Sequence, residues 1–215
     1  MASTETEPAV IPVQEKVLSH LKEADPVIKE LVEGFGPYRI PLEPNLFTAL
    51  VDAILGQQIS IHAAAAVRRR LYGLYGGRPP EPGELAATRP DILRGAGLSG
   101  AKIRYVLGLA ETFAQQPLSR EDLAGLDDRE VTDRLIAFKG VGPWTVQMLL
   151  IFSLGRLNVL PVLDIGLQAA AQHAYGLTER PVGRRLAELA EPWHPYCTIA
   201  TWYLWRSRDD NPNLK

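Results

Sequence analysis

The stretch Ile136–Leu149 reads IAFKGVGPWTVQML, and it decides the predicted fold. Apolar residues lead into a Gly-Val-Gly hairpin, after which Pro143 opens a second apolar segment. Proline is favoured at the first position of a helix, and glycines before it permit backbone conformations that other residues avoid. The stretch therefore predicts a helix, a tight hairpin and a second helix.

The predicted hairpin can bring its backbone close to an anion. Gly140 and Gly142 carry no side chain, and the second helix presents N–H groups and a partial positive charge at its start. A phosphate group would fit there. An ordinary corner between two helices, with the glycines used only for packing, produces the same pattern, so the hairpin alone leaves both interpretations open.

Composition and charge limit the class of protein. The 215 residues are 46% hydrophobic, which is enough for one core or two small lobes. A formal net charge of -2 means that nucleic acid would have to be bound by a local patch or by backbone amides. The single Cys197 excludes an internal disulfide, a four-cysteine iron–sulfur cluster and a cysteine-based zinc site.

Neither a membrane-spanning apolar run nor a signal-peptide core is apparent, so we expect a soluble, cytoplasmic protein with no membrane partner. Residues 1–12 are polar, acidic and interrupted by proline, which is typical of a loose tail. Helical spacing of apolar residues then predicts helices over 13–21 and 26–35, followed by a proline-rich connector over 37–45.

A pair of glutamines interrupts two apolar helices. An apolar stripe over 47–55 runs into GQQIS at 56–60, and a helix rich in alanine and arginine follows. The simpler interpretation is a helix boundary with Ser60 as the N-cap. The alternative is that uncharged amides reach into a base stack, since they can occupy the place of a displaced base without burying a charge.

Lys102 lies in the first turn of a helix that a second glycine-rich turn opens. The helix dipole disfavours a cation at that end, so a phosphate contact is one explanation and an exposed basic turn is the other.

Asp164 stands between Leu163 and Ile165, where one apolar segment ends and another begins. Aspartate at such a boundary is commonly a helix N-cap. An apolar setting could instead place the charge in a cleft, where it stabilises a cation or activates water. The two roles are compatible.

The stretch 193–206, WHPYCTIATWYLWR, holds three of the four tryptophans. An aromatic-rich helix is usually part of a core. Packed near Trp144, it could also line a pocket for a flat, electron-poor base.

Five segments occur in one order along the chain: 47–60, 97–102, 139–145, 161–166 and 193–206. Their motifs are FxxLVxxIxxQQIS, GLSxxK, KGVGPWT, PxxDxG, and WxPY followed by WYLWR. Together they resemble the 3-methyladenine DNA glycosylase II family, within the helix-hairpin-helix superfamily of base-excision enzymes. The chain resembles its compact, all-helical form.

The resemblance implies an all-α fold of two helical lobes with an active-site cleft between them. A terminal lobe would comprise 13–45 and 160–215, and a central lobe 46–159 would contain the helix-hairpin-helix. The implied activity is that of a monofunctional DNA glycosylase of base excision repair, which flips out alkylated bases from double-stranded DNA. Asp164 matches the catalytic aspartate, which stabilises the oxocarbenium-like sugar and guides or deprotonates water.

The same resemblance assigns the remaining site residues. Backbone amides that would bind a DNA phosphate belong to Gly140, Val141, Gly142 and Thr145. Carbonyls that would hold a structural sodium or potassium ion belong to Ile136, Phe138 and Val141. The wedge that fills the gap left by the flipped base would be Gln58 or Gln57, with Ser60 beside it. Pocket residues would be Trp144, Met148, Trp193 and Trp202, with Lys102 as a further DNA contact.

Bifunctional members of the superfamily have a lysine at the position of Trp144 and use its amine to form a Schiff base. This chain has no amine there and no cluster cysteines, which implies that water is the nucleophile and that catalysis needs no cofactor. Leu163 and Cys197 depart from the family pattern, in which aspartate and arginine are common, so the range of lesions does not transfer.

Two other classes of protein remain possible from the sequence. A helix-hairpin-helix module that binds DNA without chemistry would need the hairpin but no aspartate facing a pocket. An all-helical interaction protein unrelated to DNA would explain the composition but not the five ordered segments. We expect a monomer.

Overall fold

The computed structural model describes residues 9–208, and its regular elements in that range are helices, apart from one β-bridge. The predicted all-α fold is confirmed. In chain order the helices are α1 (Glu15–Ala24), α2 (Pro26–Phe35), α3 (Leu46–Gly56), α4 (Ile61–Gly73), α5 (Pro82–Ala86), α6 (Pro90–Gly95), α7 (Gly100–Gln115), α8 (Glu121–Ala124), α9 (Asp128–Leu135), α10 (Pro143–Phe152), α11 (Ile165–Ala174), α12 (Arg184–Leu189), a 3-10 turn (Glu191–Trp193) and α13 (Cys197–Arg208). Within 9–208 none of these helices is both long enough and apolar enough to cross a membrane.

The chain divides into two compact units, which we call the terminal unit (1–42 and 150–215) and the central unit (43–149). Their boundaries differ from the predicted lobes chiefly at 150–159, which belong to the terminal unit. The reason lies in Thr198 at the start of α13. Its hydroxyl donates to the Arg156 carbonyl (2.7 Å) and accepts from the Val159 N–H (3.0 Å), which ties this segment to the terminal unit.

Among the described residues of the terminal unit, the carboxylate of Asp25 is buried in the core. Its Oδ1 accepts the backbone N–H groups of Val27 and Ile28 and so caps α2. Its Oδ2 accepts the Tyr175 hydroxyl (2.5 Å) and the Trp193 indole N–H (2.9 Å). Burial and the neighbouring carboxylate raise the pKa of Tyr175, which keeps its hydroxyl protonated as a donor. Four donors on one carboxylate thus join α2, the end of α11 and the 3-10 turn.

An aromatic row runs through the central unit. The rings of Phe47 on α3 and Phe113 on α7 lie 5.4 Å apart, and Phe113 lies 5.7 Å from Phe138 in the hairpin. Burying large apolar rings is strongly favourable, so this row fixes the hairpin against two helices of its own unit.

The predicted loose tail, 1–12, overlaps the described residues only at 9–12; residues 1–8 lie outside them. There the Ile11 N–H donates to the Ile40 carbonyl (2.9 Å), and the Leu42 N–H donates to the Ala9 carbonyl (2.7 Å). Ile11 is also buried. The prediction of a loose tail is therefore wrong for 9–12, because an apolar side chain and two backbone hydrogen bonds hold this segment.

Candidate functional site

The helix, hairpin and helix predicted over 136–149 are present. After α9 the Phe138 N–H donates to the Leu135 carbonyl (3.0 Å), and the Val141 N–H donates to the Phe138 carbonyl (3.0 Å). The Gly142 carbonyl then accepts the Val146 N–H (3.1 Å), which makes Pro143 the first residue of α10. Backbone N–H groups in the first turn of a helix have no intrahelical acceptor, so this end of α10 is suited to an anion.

The two hairpin glycines are present for different reasons. Gly140 has φ +91°, and a Cβ at this position would collide with the Tyr105 ring, so the fold itself requires glycine. Gly142 has no such constraint. Apart from its chain neighbours, no heavy atom of the described residues would lie within 4 Å of a Cβ there. The space beside Gly142 is open, as a surface that another backbone approaches closely must be.

Gln57 is bound to the hairpin. Its Nε2 donates to the Gly140 carbonyl (2.8 Å) and to the hydroxyl of buried Thr145 (2.9 Å). The Gln57 amide is already used within the central unit, which favours Gln58 over Gln57 as the wedge, and the wedge itself stays a prediction. The Thr145 side chain is used in the same way, while the phosphate contact predicted for its backbone N–H stays a prediction.

The neighbouring Gln58, unlike Gln57, has an exposed side chain. Its φ of +58° is a left-handed conformation that costs a residue other than glycine about 1 kcal/mol. Ile59 beside it is 40% exposed. Ser60 accepts the Ala63 N–H on its hydroxyl (3.2 Å), so it is the N-cap of α4 and its side chain serves the helix boundary instead of a DNA gap. The left-handed turn directs Gln58 outward beside the hairpin-bound Gln57.

Lys102 forms a hydrogen bond to the end of a neighbouring helix. Its Nζ donates to the Leu55 carbonyl at 2.6 Å, in the last turn of α3, and partial burial lowers the pKa of the ammonium. A cation at a helix C-terminus is favourable. The Lys102 side chain thus closes the end of a neighbouring helix, and its DNA contact stays a prediction.

Asp164 is the N-cap of α11, as the simpler interpretation predicts. Its Oδ1 accepts the Leu167 N–H (2.6 Å) and also the Trp205 indole N–H (2.9 Å). Leu163 and Ile165, on either side, are 60% and 64% exposed. The carboxylate is thus held by two donors between two apolar side chains that are open to a partner.

The three tryptophans of 193–206 differ in burial and in the residues that they contact. Trp193 is fully buried and donates to Asp25, so its assignment to the pocket wall is wrong: it is a core residue. Trp202 is half-buried and packs edge-on against Tyr203 at 5.0 Å. Trp205 is a residue of the candidate site that the sequence pattern does not distinguish: it stacks on Phe152 at 5.8 Å and donates its indole N–H to Asp164. The one sequence signal for Trp205 is its position in the aromatic motif WYLWR.

Trp144 and Met148 are half-buried on α10, and their assignment to the pocket stays a prediction. Cys197, which departs from the pattern of the resembled family, is buried at the start of α13. Burial raises the pKa of its thiol to about 12, so this position carries no charge near neutral pH.

The predicted cation site would be formed by backbone carbonyls of the hairpin, those of Ile136, Phe138 and Val141. Neutral carbonyl oxygens suit sodium or potassium better than a divalent transition metal. Within 9–208 no group of three His, Cys, Asp or Glu side chains could hold a metal ion. The donor type, neutral carbonyl oxygen, is that expected for sodium or potassium, and the ion site stays a prediction.

Comparison with known proteins identifies the family of the chain. Residues 51–195 match the family model described as HhH-GPD superfamily base excision DNA repair protein. DNA-3-methyladenine glycosylase 1 of Schizosaccharomyces pombe is 32% identical over 192 residues, covering 88% of this chain and 84% of that protein.

Two solved structures are similar over most of the chain. The S. pombe 3-methyladenine DNA glycosylase in complex with abasic DNA has a TM-score of 0.83 and 31% identity, covering 89% of this chain and 96% of that one. A DNA-3-methyladenine glycosidase from Bacillus halodurans has a TM-score of 0.70 and 35% identity, covering 96% and 91%. The chain belongs to the HhH-GPD superfamily of base excision DNA repair proteins.

Proposed function

We propose that the protein is a monofunctional DNA glycosylase that removes alkylated bases of the 3-methyladenine type by hydrolysis. The observation that carries the proposal is the Asp164 carboxylate, held at the start of α11 between two exposed apolar side chains. A relative at 32% identity is named DNA-3-methyladenine glycosylase 1, and a similar structure contains abasic DNA, the product that base removal leaves.

DNA would be gripped mainly by neutral groups. The chain has a formal net charge of -2, and Lys102 is used within the central unit. Backbone N–H groups of Gly140, Gly142 and Thr145 would bind one phosphate of the strand. The Val141 N–H, also predicted as a phosphate contact, donates to the Phe138 carbonyl within the hairpin. A sodium or potassium ion on the hairpin carbonyls would add positive charge beside that phosphate.

Gln58 would fill the gap that the flipped nucleotide leaves. Its amide offers both donors and acceptors, so it can pair with different opposing bases without burying a charge. Trp144, Met148 and Trp202 would stack against the flipped base. A cationic alkylated base is attracted to the electron-rich faces of such rings, which favours damaged over normal bases.

In the chemical step the bond between C1′ and the base nitrogen breaks, and its electron pair leaves with the base. A base alkylated to a cation departs as a neutral molecule, which makes it a good leaving group. Asp164 would stabilise the positive charge that develops on the sugar, and it would orient the water that adds to C1′. The proton that this water loses passes to the carboxylate or to solvent.

Strand cleavage would not follow base removal. Lyase activity in this superfamily requires an amine, and Trp144 occupies the position where bifunctional members have lysine. Water is then the nucleophile, and the product is an intact strand with an abasic site. We propose that the protein acts as a monomer on the cell's own double-stranded DNA.

The test is release of free base from randomly methylated duplex DNA, analysed by chromatography, with the same DNA run on a denaturing gel. The expected result is free 3-methyladenine and no strand break before alkali treatment. Tight binding of this DNA without base release would overturn the proposal in favour of a DNA-binding module without chemistry.

A further inference from the structure

The terminal unit holds the Asp164 carboxylate in one orientation by a contact between distant parts of the chain. The Trp205 indole N–H donates to Oδ1 at 2.9 Å, and the Leu167 N–H donates to the same oxygen at 2.6 Å. The torsion that orients a carboxylate is otherwise broad. Two donors converging on one oxygen narrow that torsion to a single setting.

The Trp205 ring is itself supported. It stacks on Phe152 with ring centroids 5.8 Å apart and an angle of 21° between the planes. Both residues belong to the terminal unit, as Asp164 does. The indole therefore has little freedom to turn its N–H away from the carboxylate.

Gly166 leaves room for this hydrogen bond. A Cβ at this position would lie 3.1 Å from Asp164 Oδ1 and 3.6 Å from Trp205 Nε1. Its φ is not left-handed, so the backbone conformation does not require glycine here. The space that the Asp164 carboxylate and the Trp205 indole need therefore explains why glycine occupies position 166.

We propose that Trp205 is a positioning residue for the excision reaction, which orients the Asp164 carboxylate, and that Gly166 leaves the space for their hydrogen bond. Hydrogen bonds to an ionised acceptor are about twice as strong as neutral ones. Misplacing a reacting group by about 1 Å can cost a hundredfold in rate. Trp205 therefore acts on the rate of bond cleavage and not on the binding of DNA. This inference rests on the proposed function.

The test uses the Trp205→Phe variant, which removes the N–H donor and keeps a ring to stack on Phe152. The matched control is Tyr203→Phe, which also removes one ring-borne donor from α13, but one that serves the Gly36 carbonyl. Single-turnover rates on methylated DNA and affinities for DNA with an uncleavable abasic analogue are measured for both, together with melting temperatures.

Trp205→Phe is expected to slow excision about tenfold to a hundredfold with affinity within about twofold of wild type. Tyr203→Phe is expected to keep the wild-type rate. An unchanged rate in Trp205→Phe overturns the inference, and so does a loss of rate matched by an equal loss of affinity. Failure of wild type to release any base would instead overturn the proposed function.

Gly166→Ala provides an independent arm if Trp205→Phe does not fold. Alanine favours helix over glycine by up to about 1 kcal/mol, so the melting temperature should be unchanged or higher. The added Cβ displaces the carboxylate or the indole, and excision should slow by about tenfold at unchanged affinity. A stable Gly166→Ala protein with the wild-type rate would contradict the inference.

Discussion

The side-chain amide of Gln57 donates a hydrogen bond to the backbone carbonyl of Gly140, 83 residues further along the chain and 2.8 Å away. The same nitrogen donates to Thr145 Oγ1 at 2.9 Å. The turn that carries exposed Gln58 is therefore fastened to the hairpin that is expected to bind phosphate. The spacing between the proposed wedge, Gln58, and the proposed phosphate contact is therefore set within the central unit.

Replacement of Gln57 by leucine should lower both stability and DNA affinity. It leaves the Gly140 carbonyl and the buried Thr145 hydroxyl without this donor, which costs about 1–3 kcal/mol of unfolding free energy. Chemical denaturation and binding to abasic-analogue DNA measure the two effects. Gln58→Ala is the control for stability and should stay within about 0.5 kcal/mol of wild type, because that side chain is exposed. Equal stability of the two variants would contradict the role given to Gln57.

Alanine substitutions at the two hairpin glycines should have different effects, one on stability and the other on DNA binding. Gly140→Ala should lower the unfolding free energy by about 2 kcal/mol or more, because its Cβ meets the Tyr105 ring and its φ of +91° is unfavourable for alanine. Gly142→Ala should fold with stability near wild type and bind DNA about tenfold more weakly, because its methyl group occupies the space that the phosphate needs. Unimpaired DNA binding by Gly142→Ala would contradict the predicted phosphate site.

Replacement of Lys102 should lower the stability of the protein and leave the salt dependence of its DNA binding unchanged. Each lysine that neutralises a phosphate contributes about -0.9 to the slope of log affinity against log salt. Because the Lys102 ammonium binds the Leu55 carbonyl, Lys102→Met should keep the wild-type slope and lose about 1–2 kcal/mol of stability. Lys139→Met, at an exposed hairpin position, is the matched variant and should reduce the slope by about 0.9. If Lys102→Met instead reduced the slope of log affinity against log salt, Lys102 would be a DNA contact.

Asp25 should be essential for stability without taking part in catalysis. In Asp25→Asn one amide oxygen replaces two carboxylate oxygens. Either the Val27 and Ile28 N–H groups or the Tyr175 and Trp193 donors then lose their acceptor, so the unfolding free energy should fall by about 2–4 kcal/mol. Excision measured well below the melting temperature should keep its wild-type rate per folded molecule. A stable variant with a slow rate would place Asp25 in the reaction instead.

Local signals explain which features could be predicted from the sequence. The hairpin, the Asp164 cap and the start of α2 at Pro26 follow from glycine, aspartate and proline at fixed offsets, and the structure has all three. Helix caps and turns depend on neighbours within a few residues, which a sequence displays directly.

Distant partners explain what could not be predicted. Gln57 and Gln58 are adjacent and identical in type, and the hydrogen bonds of Gln57 to Gly140 and Thr145 distinguish them. Trp193 and Trp205 belong to one aromatic stretch, yet one binds Asp25 and the other Asp164. These partners lie between 41 and 168 residues away, so periodicity and spacing carry no information about them.

The central claim is that Asp164 drives base excision, and Asp164→Asn tests it most directly. Asparagine caps a helix about as well as aspartate, so α11 should keep its start and the variant should fold. Single-turnover release of 3-methyladenine from methylated duplex DNA should fall by at least about a hundredfold, while binding to abasic-analogue DNA persists. Release at the wild-type rate would contradict the account and leave Asp164 as a helix cap alone.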